Sequence, residues 1–163
     1  MPDRLTLDRF DVRLLAALEG DARLTNQELG ERIGLSASQC SRRRSALETA
    51  GLIVGYRAEL AAEALGLKIL AFIEVNLATH SAENGERFRK LLGRIDEIQE
   101  AYALSGDTDY MLKVIVPDLE SLSRLINDTL LGHSTVSRVC SSIVLERLKV
   151  TSRLPLTSVE VRT

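Results

Sequence analysis

Apolar residues near the start of the chain recur at three- and four-residue steps, which is the spacing of an amphipathic helix. The first such run spans residues 7–18, and Gly20 then supplies a stop signal. A second run follows Thr25-Asn26-Gln27-Glu28, a capping box in which the threonine and glutamate side chains each accept from a free backbone amide. This second run ends at Gly34. The pattern therefore predicts two short helices in this part of the chain.

A third helix is predicted to start at a second capping box, Ser36-Ala37-Ser38-Gln39, and to run to about Ala50. Only Gly34, Leu35 and Ser36 separate it from the second helix. A turn this short, with a glycine, is typical of a helix-turn-helix, whose second helix enters the major groove of DNA. The first sixty residues thus predict a DNA-binding domain.

The third helix carries the residues that we expect to contact DNA. Short hydroxyl and amide side chains suit base edges, arginines can pair with phosphates or guanine, and a helix N-terminus favours a phosphate. An isolated run of arginines more often lies on a solvent-exposed helix surface with no binding role, but the run Arg42-Arg43-Arg44 lies on the second helix of a helix-turn-helix. The predicted DNA-binding residues are Ser36, Ser38, Gln39, Ser41, Arg42 and Arg43.

Arg44 does not fit the amphipathic pattern of this helix. It follows Cys40 by four residues and precedes Leu47 by three, so it falls on the stripe expected to face the core. Either its aliphatic stem is buried while its charged head reaches water, or the stripe runs along a different face.

The pattern changes after the third helix. Residues 52–57 are β-prone and predict a short strand or wing, and residues 58–65 predict a brief helical turn. Strict alternation then predicts strands, and three- and four-residue spacing predicts helices between them. The predicted strands are 68–77, 98–105, 110–116 and 136–149, with one helix over 83–95 and another after Asp118.

The order βαββαβ is the ferredoxin-like arrangement, in which two helices cover one face of a four-stranded sheet. The predicted fold class is α+β, with an N-terminal winged helix-turn-helix domain over 1–60 and a C-terminal ferredoxin-like domain over 61–163. The open sheet face carries Phe72, Met111 and Ile115. Because a partly apolar open face is costly in water, we expect it to be covered by a second copy of the chain.

Composition narrows these predictions only slightly. The 163 residues are 45% hydrophobic with a formal net charge of −2, which excludes a globally basic nucleic-acid binder but not a local basic patch. Cys40 and Cys140 have no metal-ligand spacing, and we expect both to be reduced. No apolar run reaches about 18 residues, so we expect a cytoplasmic protein that does not enter a membrane, and we predict no cofactor and no metal.

The chain also resembles the Lrp/AsnC family, the feast/famine regulators, over essentially its whole length. No single segment is decisive, but their order and spacing are specific. The residues that carry the resemblance are Leu7-Asp8, Asp11, Arg23-Leu24-Thr25, Leu29, Ile33-Gly34-Leu35-Ser36, Cys40, Arg42-Arg43, Leu47-Glu48, Gly51-Leu52-Ile53, Gly55-Tyr56, Gly106-Asp107-Thr108-Asp109-Tyr110, Val116-Pro117-Asp118, Ser141-Ser142 and Leu154-Pro155-Leu156.

The resemblance implies a sequence-specific transcriptional regulator that binds double-stranded DNA as dimers, which assemble into tetramers, octamers or larger discs. It also implies an amino acid or related metabolite held between dimers by Gly106, Asp107, Asp109 and Ser141. Turn amides can bind a carboxylate, and aspartate can pair with an ammonium. Two departures are Val139, where many relatives have a hydroxyl residue, and Arg44, where many have an aliphatic one.

Three other functions compete with this interpretation. Some proteins that resemble the family are decarboxylases of haem biosynthesis, but His80 and His133 are the only histidines and no catalytic motif accompanies them. RNA binding on the sheet requires more aromatic residues than Phe72 on that face. An oligomerising sensor without DNA binding is disfavoured by Arg42 and Arg43.

Overall fold

The computed structural model describes residues 7–151 and 153–158. The chain divides into two compact units. One unit is Leu60–Lys149, and the other combines the described residues before Leu60 with the described residues from Val150 onward. The second domain predicted from the sequence included everything after residue 60. The C-terminal segment instead groups with the first unit, where the Leu154 backbone N–H donates to the Glu19 carboxylate at 2.6 Å. The predicted outer limits, residues 1 and 163, lie outside the described residues.

The first unit contains the three predicted helices: α1 (Arg9–Gly20), α2 (Asn26–Ile33) and α3 (Ala37–Thr49). Each helix begins at a complete capping box. The N-cap side chain accepts from the backbone N–H three residues later, and the side chain of that later residue accepts from the N-cap backbone N–H. The pairs are Asp8 with Asp11, Thr25 with Glu28, and Ser36 with Gln39. The helices enclose a small aliphatic core of Leu7, Leu14, Leu18, Leu24, Leu29, Ile33, Cys40 and Leu47.

Two glycines allow α2 and α3 to approach each other closely. Gly34 follows α2 with φ of +80°, a left-handed conformation that favours glycine, and its N–H donates to the Gly30 carbonyl at 2.8 Å. Gly30 lies inside α2, where a Cβ atom would stand 2.4 Å from the Leu35 carbonyl oxygen. The turn of the helix-turn-helix therefore depends on the absence of a side chain at residue 30.

The strand or wing predicted over 52–57 is wrong, because residues 54–60 have no regular secondary structure and pair with no strand. A strand needs a partner that offers backbone hydrogen bonds, and the described part of the first unit contains no strand. Val54 is 94% exposed, which fits an unpaired segment. A turn of 3-10 helix, Glu63–Leu65, follows where the brief helical turn was predicted.

The second unit has the predicted βαββαβ order: β1 (Ile69–Leu77), α4 (Ala82–Leu92), β2 (Ile98–Ala103), β3 (Tyr110–Val116), α5 (Leu119–Arg124) and β4 (Val136–Ile143). Asp118 caps α5 as predicted, and π-helical turns continue that helix over Leu125–Leu130. The strands form one antiparallel sheet in the order β2-β3-β1-β4. The ferredoxin-like fold class is thus confirmed.

One face of this sheet forms the core of the unit. Its central strands contribute the alternate residues Ala71, Ile73, Val75 and Leu77 of β1 and Leu112, Val114 and Val116 of β3. Phe88 of α4 and Leu122 of α5 pack against them. The residues between these positions, among them Phe72, Met111 and Ile115, lie on the opposite face, as the alternation predicts.

Three predicted elements end earlier in the structure than expected, and one of them is β2, which ends at Ala103 instead of residue 105. The last strand ends at Ile143 instead of residue 149, because Ile143 pairs with Ala71 and the Val144 N–H donates to Leu70, near the beginning of β1. Leu145 beyond it is 97% exposed. Helix α4 ends at Leu92, before Gly93, instead of at residue 95. Among the described residues, no helix combines the length and the apolar character that crossing a lipid bilayer requires.

Candidate nucleic-acid interface and effector turn

The outer face of α3 is formed by small polar side chains around a single arginine. Ser38, Ser41, Arg42 and Ser45 are all exposed, and the adjacent residues Ser41 and Arg42 each lie three or four residues from both Ser38 and Ser45. The opposite face carries Cys40 and Leu47, which are fully buried. Ser45 was missing from the predicted set, although its spacing from Ser41 and Arg42 indicates the same face. Small side chains let a helix backbone come close to base edges.

The predicted contacts Ser36 and Gln39 are exposed, but they also bind each other. The Gln39 Oε1 atom accepts from the Ser36 backbone N–H and hydroxyl, both at 3.0 Å, while the Ser36 hydroxyl accepts from the Gln39 amide at 3.2 Å. Only the side-chain nitrogen of Gln39 is left to donate to a base edge. The capping box thus fixes the end of the helix that the major groove would admit first.

Arg43 lies against α1 rather than on the outer face of α3. Its Nη1 atom is 2.8 Å from an Asp8 carboxylate oxygen and 2.7 Å from one of Asp11, and its guanidinium carbon is 5.6 Å from the Phe10 ring centroid. The Arg43 side chain is 26% exposed and that of Asp11 only 12%. Within one chain, therefore, Arg43 joins α3 to the cap of α1.

This contact also changes the acidity of the cap. Partial burial raises the pKa of Asp8, but hydrogen bonds from the Asp11 amide, the Arg43 guanidinium and the Phe10 amide outweigh it and hold that pKa below its usual value. Burial raises the pKa of the Cys40 thiol, so this cysteine is an inert core side chain. The sequence could not reveal the Arg43 contact, because it joins residues 32 positions apart.

The second candidate site is the turn between β2 and β3, which carries Gly106, Asp107 and Asp109. Asp107 is exposed, and its backbone carbonyl accepts from the Asn76 side chain at 2.6 Å. The Asp109 carboxylate accepts from the Leu77 N–H at 2.7 Å, and its other oxygen is 3.3 Å from His80 Nδ1. Both Asp109 oxygens therefore tie the turn to β1 and its end, whereas the Asp107 carboxylate points to solvent.

The fourth predicted effector residue is not part of the same cluster. Ser141 pairs with Ile73 and is exposed on β4, which lies on the opposite side of β1 from β3. Within one chain, β1 lies between Ser141 and β3, the strand that begins after the Gly106–Asp109 turn. Within the described ranges, no three His, Cys, Asp or Glu side chains gather in a way that could hold a metal ion.

Comparisons with known proteins cover both units. A family model described as the AsnC-type helix-turn-helix domain matches residues 7–48, and one described as the Lrp/AsnC ligand binding domain matches residues 70–154. The leucine-responsive regulatory proteins of Escherichia coli K12 and Klebsiella pneumoniae are each 38% identical to the chain over 148 residues, which is 91% of this chain and 90% of each relative.

Solved structures agree with these matches. A transcriptional regulator from Neisseria meningitidis, solved as a complex with L-Met, is 40% identical, with a TM-score of 0.90 over 93% of this chain and 97% of its own. An AsnC family transcriptional regulator from Agrobacterium tumefaciens is 32% identical, with a TM-score of 0.87 over 93% of this chain and 98% of its own.

Proposed function

Because the chain belongs to the Lrp/AsnC family of DNA-binding transcriptional regulators, we propose that it binds duplex DNA through the outer face of α3. The observation that carries this proposal is the exposure of Ser38, Ser41 and Arg42 on one side of a capped helix whose other side is buried. Such a helix fits the major groove with its N-terminal half at the base edges. The four relatives described above are named as regulators, and they give no support to the decarboxylase alternative.

Within this interface we assign different roles to neighbouring arginines. Arg42 contacts a phosphate or a guanine, since it is exposed on the outer face. Ser38, the side-chain nitrogen of Gln39 and Ser41 donate to base edges or to the DNA backbone, while the Ser36 hydroxyl, which already donates to Gln39, accepts there at most and caps the helix. Arg43 was predicted with them as a DNA contact, and we assign it the role of holding α3 on α1 through two carboxylates.

The effector proposed for the second unit is an amino acid. The relative from Neisseria meningitidis was solved with L-Met, which carries the ammonium and carboxylate that turn amides and an aspartate can bind. We assign ligand contact to the Gly106 backbone and the Asp107 carboxylate, and a supporting role to Asp109. Because β1 separates Ser141 from the turn, a site using both draws them from different copies of the chain.

We also propose that the chain self-associates through the open face of the sheet. Phe72 is 38% exposed there, with Met111 and Ile115 on the next strand, so a partly apolar surface faces water in a single chain. A two-fold dimer on this face would present two copies of α3 to one pseudo-palindromic site. Light scattering at micromolar concentration tests this, and the mass of one chain would contradict it.

The function is tested by selecting bound sequences from a random pool of DNA duplexes. We expect a two-fold symmetric site, whose affinity falls with rising salt because binding releases counterions from phosphates. A thermal-shift screen against the twenty amino acids tests the effector, since a ligand of the native state raises the melting temperature. Failure to recover any sequence would contradict DNA binding, and no shift with any amino acid would contradict the effector.

A further inference from the structure

Helix α3 has few apolar contacts to fix its orientation. Of its thirteen residues, only Cys40 and Leu47 are buried, and the rest of the helix is exposed or half-buried. Two buried side chains on one stripe hold a helix against a core, but they resist rotation about its own axis weakly. The direction in which Arg42 and Ser38 point must therefore be fixed by other contacts.

Arg44 makes such contacts with two other parts of the first unit. Its Nη1 atom donates to the Leu24 carbonyl between α1 and α2 at 3.3 Å, and its Nε atom donates to the Tyr56 hydroxyl at 2.8 Å. Nε is also 3.3 Å from the Glu48 carboxylate, and the guanidinium carbon lies 4.6 Å from the Tyr56 ring centroid. The Arg44 side chain is 23% exposed, so this is a partly buried cluster.

Tyr56 closes the cluster from outside the helix. Its hydroxyl donates to the Glu48 carboxylate at 2.7 Å, while the ring lies beneath Arg44. Tyr56 belongs to the unpaired segment after α3, in which Leu52 and Val54 are exposed. The cluster thus fastens this segment, which continues to the second unit at Leu60, onto the DNA-binding helix.

We propose that Arg44 is a positioning residue for DNA recognition, acting through Tyr56, Glu48 and Leu24 rather than by touching DNA. Successive residues of an α-helix point about 100° apart, so Arg43 and Arg44 hold α3 from two directions. Arg43 binds α1, and Arg44 binds the α1–α2 turn and the segment after α3. Together they fix the rotation that points Arg42 outward. This inference rests on the proposed DNA binding.

The test compares Arg44→Ala, Arg44→Lys and Arg42→Ala in the full-length protein. The probes are the duplex recovered by selection and a random-sequence duplex, each titrated at several salt concentrations. For Arg44→Ala we expect the ratio of selected to random affinity to fall about tenfold, the equivalent of one mismatched base pair. The slope of log affinity against log salt should not change, because the same phosphates are still neutralised. Arg44→Lys keeps the positive charge but lacks the planar guanidinium with its several N–H donors, so it should not restore the ratio of selected to random affinity.

Other outcomes overturn the proposal. A smaller salt slope in Arg44→Ala, or full recovery in Arg44→Lys, would mean that residue 44 contributes charge to DNA. A lower melting temperature with an unchanged affinity ratio at 25 °C would mean that it only stabilises the fold. Tyr56→Phe keeps the ring and removes the hydroxyl, so it should lower the ratio less than Arg44→Ala does. If the native chain shows no preference between the duplexes and Arg42→Ala changes nothing, the proposed function fails instead, which is a distinct result.

Discussion

The neighbouring residues Arg42 and Arg43 have identical side chains, so replacing each with alanine separates binding from stability. Arg43 loses two ion pairs, at 2.7 Å and 2.8 Å, when it is truncated. Arg42 is exposed, and its truncation is expected to affect only the interaction with DNA. The two variants remove the same atoms and the same charge, and each is therefore a matched control for the other.

The cost of removing Arg43 can be worked from burial. The Asp8 side chain is 40% exposed, so its pair with Arg43 resembles a surface pair of roughly 0.5 kcal/mol. Asp11 is only 12% exposed, so breaking its pair with Arg43 costs more than breaking a surface pair. The cost is less than the roughly 3–5 kcal/mol lost when a fully buried pair is broken. The sum is about 2 kcal/mol, which lowers the melting temperature of a domain this small by about 10 °C. For Arg42→Ala we expect a change within about 0.5 kcal/mol.

The assay combines thermal unfolding, followed by circular dichroism, with DNA titrations at several salt concentrations. Arg42→Ala should leave the melting temperature unchanged and lower the salt slope by about 0.9 for each phosphate that the protein no longer neutralises. Arg43→Ala should destabilise the protein and leave the slope unchanged. If Arg43→Ala lowers the slope without affecting melting, Arg43 leaves the two carboxylates to bind DNA, and the assignment is wrong.

Three further predictions follow from other parts of the structure. Gly30→Ala should abolish selective DNA binding in titrations with the selected duplex, because the new Cβ would overlap the Leu35 carbonyl at 2.4 Å; native affinity in this variant would contradict that role. Folding lowers the pKa of Asp8, so its carboxylate stabilises the folded chain. This stabilisation is fully present above the pKa of an unfolded aspartate, near 3.9, and is lost as the pH falls through the pKa of Asp8 in the folded chain. Asp8→Asn, which keeps a good N-cap, should flatten the loss of stability below about pH 4 in melts from pH 7 to pH 3. Asp107→Ala should reduce the thermal shift given by the amino acid found in the screen, whereas Asp109→Ala should lower the melting temperature without ligand; the reverse pattern would contradict our division of roles.

Local signals in the sequence were sufficient to predict most of the fold. The capping boxes at Thr25 and Ser36 predicted the starts of α2 and α3, and the alternation in β1 predicted which residues are buried. These features depend on residues close together in the chain. The strand predicted over 52–57 was wrong because β-propensity alone does not supply a pairing partner. The last strand was predicted too long for the same reason, since its end is fixed by where β1 begins.

Local signals could not predict which of Arg42, Arg43 and Arg44 is free to bind DNA and which of them hold α3 in place. A basic run indicates a nucleic-acid interface, but it does not say which side chain is free. That depends on Asp8 and Asp11 at the start of α1 and on Tyr56 after α3, which only the folded chain brings near. The role of Gly30 was missed as well, although a glycine inside a helical pattern is unfavourable and therefore suggests a packing reason.

The geometry of a helix makes this division unavoidable. Three consecutive arginines point in three directions about 100° apart, so a triplet cannot serve one face. Here one side chain faces outward and two fasten the helix that presents it, with Asp8, Asp11 and Glu48 offsetting their charge. The triplet then contributes one free cation per DNA-binding helix, which gives a weak attraction to phosphates in a chain of net charge −2. A second copy of α3 doubles that attraction and adds a second set of base contacts, and for this reason we expect DNA binding and self-association to be lost together.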